Sequence, residues 1–173
     1  LVSYFEHNKV TRGGQIVQEL EEGKNVALVS DAGTPGISDP GYNLVVQAIA
    51  KGITVIPIPG PSAAIAALSA SGLPTDQFHF VGFLPVKEGK KRKLLDQLHE
   101  YSGTLVLYES PFRIHQTLQL AHEIFGNREA VVAHELTKIH EGFFRGRLNQ
   151  LSNLIEGVPA KGEWILLIRC KTV

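Results

Sequence analysis

Three acidic residues lie at the ends of apolar runs that are typical of buried strands. Asp31 and Glu109 directly follow two such runs, and Glu135 lies near the end of a third. In an open α/β sheet, small molecules bind in the crevice outside the carboxyl ends of the strands. Taken singly, Asp31 also suits an Asx turn and Glu109 an ion pair with Arg113. Three acids on separate strands favour a ligand-binding site.

Two loops rich in glycine and proline follow the first two predicted strands. Residues 31–41 hold three glycines and two prolines, and residues 57–63 form the second loop. Glycine has no side chain, so the backbone of such loops can approach a ligand closely. Two loops of this kind in a short chain predict one shared binding cleft.

Spacing disfavours several other kinds of site. The sequence has neither a P-loop nor a G-x-G-x-x-G motif. Residues 60–64 resemble a nucleophile elbow but lack its second glycine, which disfavours a serine hydrolase. His134 and His140 lie six residues apart rather than the four of a helical zinc pair. We predict no metal.

Two segments have the chemistry of RNA contacts. Residues 3–8 combine two aromatic rings with polar groups that suit unpaired bases and 2′-hydroxyls. A basic stretch at residues 87–93 suits phosphate. The alternatives are an ordinary surface turn and a solvated helix start, and the sequence leaves both open.

Composition limits the class of protein. The 173 residues include 17 Lys and Arg against 17 Asp and Glu, so a strongly basic nucleic-acid binder is disfavoured while a local basic patch is allowed. Cys170 is the only cysteine, so no internal disulfide forms, as suits a reducing cytoplasm. No apolar run reaches about 18 residues and no signal peptide is visible. We predict a cytoplasmic protein without a membrane segment.

Strand and helix patterns alternate along the chain, which predicts an α/β fold with a parallel sheet in its first part. We place a domain boundary near residue 75, giving domains 1–75 and 76–173. The predicted strands are residues 26–30, 54–58, 78–84, 104–108, 130–136, 142–147 and 164–169.

The order of six segments resembles a known family. The segments are residues 31–41, 59–63, 80–85, 108–113, 135–138 and 161–164. Together they resemble the tetrapyrrole-methylase superfamily of S-adenosylmethionine (SAM)-dependent methyltransferases. Residues 3–8, Ser-Tyr-Phe-Glu-His-Asn, are similar to the branch that methylates the 2′-oxygen of a cytidine in bacterial 16S ribosomal RNA.

The resemblance implies two α/β domains with SAM in the cleft between them, the second with a mixed sheet, and a homodimer acting on 16S rRNA or the small ribosomal subunit. It further implies that the first domain lacks its first strand here and that a helical region follows the catalytic domains. Two alternatives stay open: methylation of a tetrapyrrole or other small acceptor, and a SAM-binding module without catalysis.

The cofactor contacts follow from positions that match the family, whereas the candidate bases and RNA contacts follow from the chemistry of the residues. The implied cofactor contacts are Asp31, Ala32, Gly33, Thr34, Pro61, Ser62, Ala63, Leu84, Tyr108, Glu109, Leu136, Gly162 and Glu163. Candidates for a catalytic base are Glu6, His7 and Glu109. Candidate RNA contacts are Tyr4, Asn8, Lys90, Lys91, Arg92, Lys93, Arg113 and Lys138.

Overall fold

A computed structural model describes residues 1–171 of the chain. This part forms two compact units, the first Leu1–Ser62 and the second from Ala63 onward. The helices and strands, in chain order, are α1 Lys9–Glu21, α2 Tyr42–Ala50, α3 Ala63–Ser71, β1 Phe78–Phe83, α4 Glu88–Leu98, β2 Thr104–Glu109, α5 Ile114–Phe125, β3 Glu129–His134, β4 Gly142–Arg147, α6 Leu148–Leu154 and β5 Trp164–Arg169. None of the helices within residues 1–171 combines the length and apolarity that a membrane span needs.

The first unit is built on helices α1 and α2. Ile16 and Val17 of α1 pack with Leu44 of α2 in a small buried cluster. Leu20, four residues after Ile16, packs against the same cluster, so one face of α1 is apolar. Lys51 pairs with Glu21 at 2.8 Å and joins the ends of the two helices.

The first unit differs from the sequence-based expectation in its strands. Residues 26–30 and 54–58 are predicted strands, but neither is one in the structure. Val29 and Ile56 are about three-quarters exposed, at 73% and 74%. An apolar run indicates burial, but a strand also needs a neighbouring backbone to accept its hydrogen bonds. The strand prediction for these two segments is therefore wrong in this structure.

The second unit contains a five-stranded mixed sheet in the order β1-β2-β5-β3-β4. β1 and β2 are parallel, whereas β5 is antiparallel to both β2 and β3. β3 therefore runs parallel to β2, and β4 runs antiparallel to β3. The mixed sheet predicted for this part is confirmed, and each observed strand lies within two residues of its predicted ends.

Helices cover both faces of the sheet because successive side chains of a strand point to opposite faces. Leu105 and Leu107, with the other side chains on the same face of the sheet, pack against α4, α5 and α6. Val106 faces the alanine-rich helix α3 instead. Helix α3 thus packs with the second unit, although its sequence position is before the predicted boundary near residue 75.

Candidate functional site

Most of the predicted site residues of the second unit lie at one edge of the sheet, the edge formed by the ends of the strands. β1, β2 and β3 end at this edge, and β4 and β5 begin there. The register shows it directly, since Trp164 of β5 is paired with both Glu109 and His134. The predicted residues in or beside this edge are Leu84, Tyr108, Glu109, Arg113, Leu136, Lys138, Gly162 and Glu163.

Tyr108 is held by two rings and a helix. A bulge between Phe80 and Gly82 shifts the register of β1. Because of this extra residue, Phe80 and Phe83 both reach the Tyr108 ring, edge-on, with centroids 5.0 and 5.5 Å away. The Tyr108 hydroxyl accepts a hydrogen bond from Ala64 N at 3.2 Å. Burial raises the pKa of Tyr108, so its hydroxyl stays neutral at pH 7.

Glu109 lies at the centre of a buried polar network. Its Oε1 pairs with Arg113 at 2.6 Å and accepts from Ser110 N at 2.7 Å. Its Oε2 accepts from Thr117 Oγ1 at 2.6 Å and lies 3.4 Å from Lys91 Nζ. Arg113 also donates to the Leu84 carbonyl at 3.4 Å, so this network joins the loops that follow β1 and β2. The Glu–Arg pair that the sequence allowed is therefore formed.

Only part of the basic stretch is accessible. Lys91 is 1% exposed and donates to Thr117 Oγ1 at 2.8 Å. Arg92 is exposed but pairs with Glu123 at 2.6 Å. Lys90 and Lys93 are exposed, and no carboxylate within residues 1–171 lies within ion-pair distance of either.

A strained loop follows β3. Glu135 and Thr137 have φ of 49° and 64°, a conformation that costs energy for residues with side chains. Glu135 Oε1 accepts from Glu163 N at 2.9 Å and from Lys138 Nζ at 2.9 Å. Lys138 also pairs with Glu163 at 3.2 Å. Backbone strain that is stabilised by such a cluster is typical of functional sites.

The same loop leaves backbone groups available. Within residues 1–171, the N–H and C=O of Leu136 and of Gly162 have no hydrogen-bond partner. A free N–H together with a free C=O matches the acceptor and donor groups on the edge of an adenine ring. The resemblance implies that the backbone around Leu136 and Gly162 holds the adenine of SAM, and this assignment stays a prediction.

Acid is expected to release this loop. The hydrogen bond from Lys138, then that from Glu163 N, lowers the pKa of Glu135. The contacts are thus present above the ordinary Glu pKa, about 4.3, and are lost as pH falls through the lowered value. We expect the Glu163 amide proton resonance to shift with a midpoint below about 4.3, and we expect Glu135→Gln to remove the part of this shift that the hydrogen bond to Glu135 causes. A midpoint at or above the ordinary value would contradict the network.

His134 and Trp164 join the site, although the sequence had assigned them no such role. His134 Nε2 lies 3.0 Å from the Lys161 carbonyl, and Trp164 Nε1 donates to the same oxygen at 2.9 Å. The centroids of the two rings are 4.2 Å apart. They hold the loop that contains Gly162 and Glu163. A histidine at a strand end was visible in the sequence, but its pairing with Trp164 depends on strand register.

In the first unit, the loop of Asp31, Ala32, Gly33 and Thr34 is fastened to the next loop. Thr34 Oγ1 donates to the Pro61 carbonyl at 2.8 Å. Gly33 has φ of 72°, which favours glycine, and the nearest atom to a Cβ there would be Pro61 O at 4.0 Å. Asp31 and Ala32 are exposed. Ser62 closes this unit and Ala63 begins helix α3.

The start of the chain forms a turn before α1. Asn8 Oδ1 accepts from Phe5 N at 2.8 Å, and Asn8 Nδ2 donates to Ser3 O at 3.1 Å, so its side chain stabilises this turn. The exposed Glu6 carboxylate pairs with Lys9 at 2.5 Å.

The side chains of Tyr4 and His7 in this turn make no hydrogen bond within residues 1–171. The Tyr4 hydroxyl is buried without a hydrogen-bond partner within residues 1–171. Burial raises the pKa of Tyr4. His7 is exposed, and its ring meets Phe5 edge-on. Of the candidate bases, Glu6 and His7 are thus accessible, whereas both oxygens of Glu109 are engaged.

Comparison with known proteins identifies the family. Residues 5–152 match the tetrapyrrole (corrin/porphyrin) methylases. The chain therefore belongs to this family, as the sequence resemblance predicted, and its α/β fold is the fold of the family. Among solved structures, it resembles uroporphyrin-III C-methyltransferase from Thermus thermophilus complexed with S-adenyl homocysteine, with a TM-score of 0.59, 16% identity, 96% of this chain and 75% of that chain.

Curated relatives point to one branch of the family. The chain is 50% identical, over 97% of its length, to ribosomal RNA small subunit methyltransferase I of Halalkalibacterium halodurans. It is 48% identical, over 88% of its length, to the protein of that name from Micromonospora olivasterospora. The chain spans 58% and 49% of these two relatives, respectively.

Proposed function

We propose that the protein transfers a methyl group from SAM to the 2′-oxygen of a cytidine in 16S ribosomal RNA. The observation that carries this proposal is the 50% identity to a protein named ribosomal RNA small subunit methyltransferase I. We further propose that it acts in the cytoplasm as a homodimer, on 16S rRNA or the small ribosomal subunit.

The sheet edge of the second unit supports SAM binding. The unpaired backbone groups of Leu136 and Gly162 would hold the adenine. Leu84, Tyr108 and Glu163 would line the same site, and the loop of Asp31–Thr34 with Pro61, Ser62 and Ala63 would contact the methionine part. The structural neighbour solved with S-adenyl homocysteine agrees with this choice of cofactor.

The bound cofactor supplies a methyl group that its sulfonium makes electrophilic. The protein must hold the ribose oxygen in line with the bond that breaks, and such positioning is itself a large part of catalysis. Glu6 or His7 would accept the hydroxyl proton as the bond forms. We assign Glu109 a positioning role, because its carboxylate holds Arg113 and the Ser110 backbone.

Two measurements test the proposal on the full-length protein. Calorimetric titration with SAM should give a saturable heat. Mapping of 2′-O-methylation in 16S rRNA should show one cytidine that is methylated in the parent strain, unmethylated in the deletion strain and restored by complementation. Unchanged rRNA methylation with intact SAM binding would direct the search to a small acceptor. Absence of SAM binding would refute the proposal.

A further inference from the structure

Two bulky apolar side chains are exposed to solvent at the sheet edge where the candidate site lies. Phe112 is 85% exposed and Val86 is 81% exposed. They lie in the loops that follow the parallel neighbours β2 and β1. Arg113 joins these loops through the Leu84 carbonyl at 3.4 Å, and Gln116 joins α5 to Glu88 at 3.3 Å. The two side chains therefore belong to one surface.

The exposed ring lies on a firmly held loop. Ser110 N donates to Glu109 at 2.7 Å, and Arg113 pairs with Glu109 at 2.6 Å, on either side of Phe112. Arg113 N also donates to Ser110 O at 3.0 Å. The polar groups of this loop thus turn inward while the Phe112 ring is displayed to solvent. An exposed apolar patch with a polar rim is typical of an interaction site.

Positive charge without a paired carboxylate among the described residues lies in the loop that follows β1 and in the first turn of α4. Lys87 and Lys90 are exposed, and neither has a carboxylate within ion-pair distance in residues 1–171. The neighbouring Glu88 is hydrogen-bonded to Gln116. We define the Phe112 patch as Val86, Lys87, Lys90 and Phe112. An exposed aromatic ring and free ammonium groups on neighbouring loops are the chemistry that binds single-stranded nucleic acid.

We propose that Phe112 stacks on an unpaired base of the substrate RNA while Lys87 and Lys90 contact the flanking phosphates. This inference rests on the proposed function for the identity of the RNA. The substrate form is an unpaired strand, and Phe112 is its recognition residue at the sheet edge. The positive charge of the patch favours RNA over a second copy of this chain, which would meet the same charges.

The test uses the full-length protein and two probes, single-stranded oligocytidine and unmethylated 16S rRNA. Phe112→Ala and Phe112→Leu should each weaken binding of both probes roughly 5- to 100-fold, because neither retains a ring. Phe112→Trp should restore binding. Lys87→Ala combined with Lys90→Ala should reduce the log–log salt slope by about 1.4. SAM affinity should be unchanged in every variant.

Phe78→Ala is the matched control. Phe78 is 39% exposed and is the first residue of β1, at the end of the strand away from the candidate site. Wild-type RNA affinity in Phe112→Ala, or rescue by Leu as well as by Trp, would overturn the proposal. A change in sedimentation of Phe112→Ala would instead assign the patch to contact between copies. Phe112-dependent oligocytidine binding without any methylation of 16S rRNA would refute the proposed function and leave the patch supported.

Discussion

Replacing Lys91 by alanine is expected to destabilise the second unit by about 3 kcal/mol or more. Lys91 is fully buried, and its ammonium lies 3.4 Å from Glu109 and 2.8 Å from Thr117. Its removal leaves the Glu109 carboxylate buried with only one cation, Arg113. A buried charge that loses a partner retains its desolvation cost, which makes this loss larger than that of a surface pair. Urea unfolding measures the change.

Lys90→Ala is the matched control, because Lys90 is adjacent in sequence, exposed and without an ion pair in the described residues. It should change the free energy of unfolding by less than about 0.5 kcal/mol. Lys91→Met keeps most of the apolar stem, so its loss relative to alanine separates the charge from the packing. Equal stability of Lys91→Ala and Lys90→Ala would show that the buried network does not stabilise the fold.

Gly162→Ala is expected to weaken SAM binding at least tenfold. A Cβ at this position would lie 2.4 Å from Cδ and Oε1 of Glu135. The carboxylate would have to leave Glu163 N and Lys138, the two groups that it holds. The φ of 77° adds backbone strain of about 1–2 kcal/mol. Because both effects act on the loop that would hold the adenine, calorimetric SAM affinity is the direct measurement.

Gly157→Ala separates these two effects. Gly157 has a similar φ of 80°, but nothing lies within 4 Å of a Cβ there. We expect both variants to lose a similar amount of stability from the backbone, and only Gly162→Ala to lose SAM affinity. Equal SAM affinity in the two variants would mean that the Glu135 cluster does not shape the site.

Much of the second unit was predictable from the sequence because its signals are local. Apolar runs of strand length and helical stripes recur along the chain, and the strands fall within two residues of their predicted ends. The acids at strand ends follow from the same patterns. A local signal also existed for Lys91, which lies four residues before Leu95 and seven before Leu98, on the buried face of α4.

Other features depend on partners distant in sequence, and only the tertiary structure decided them. Residues 26–30 are as apolar as a strand but have no ladder, since pairing needs a second backbone at the right distance. The bulge in β1 brings Phe80 and Phe83 to one ring, against the alternation that the sequence implies. His134 meets Trp164 through strand register, across about thirty residues of chain. Periodicity reports which face of an element is apolar, whereas hydrogen-bond partners and close packing are set only when distant segments meet.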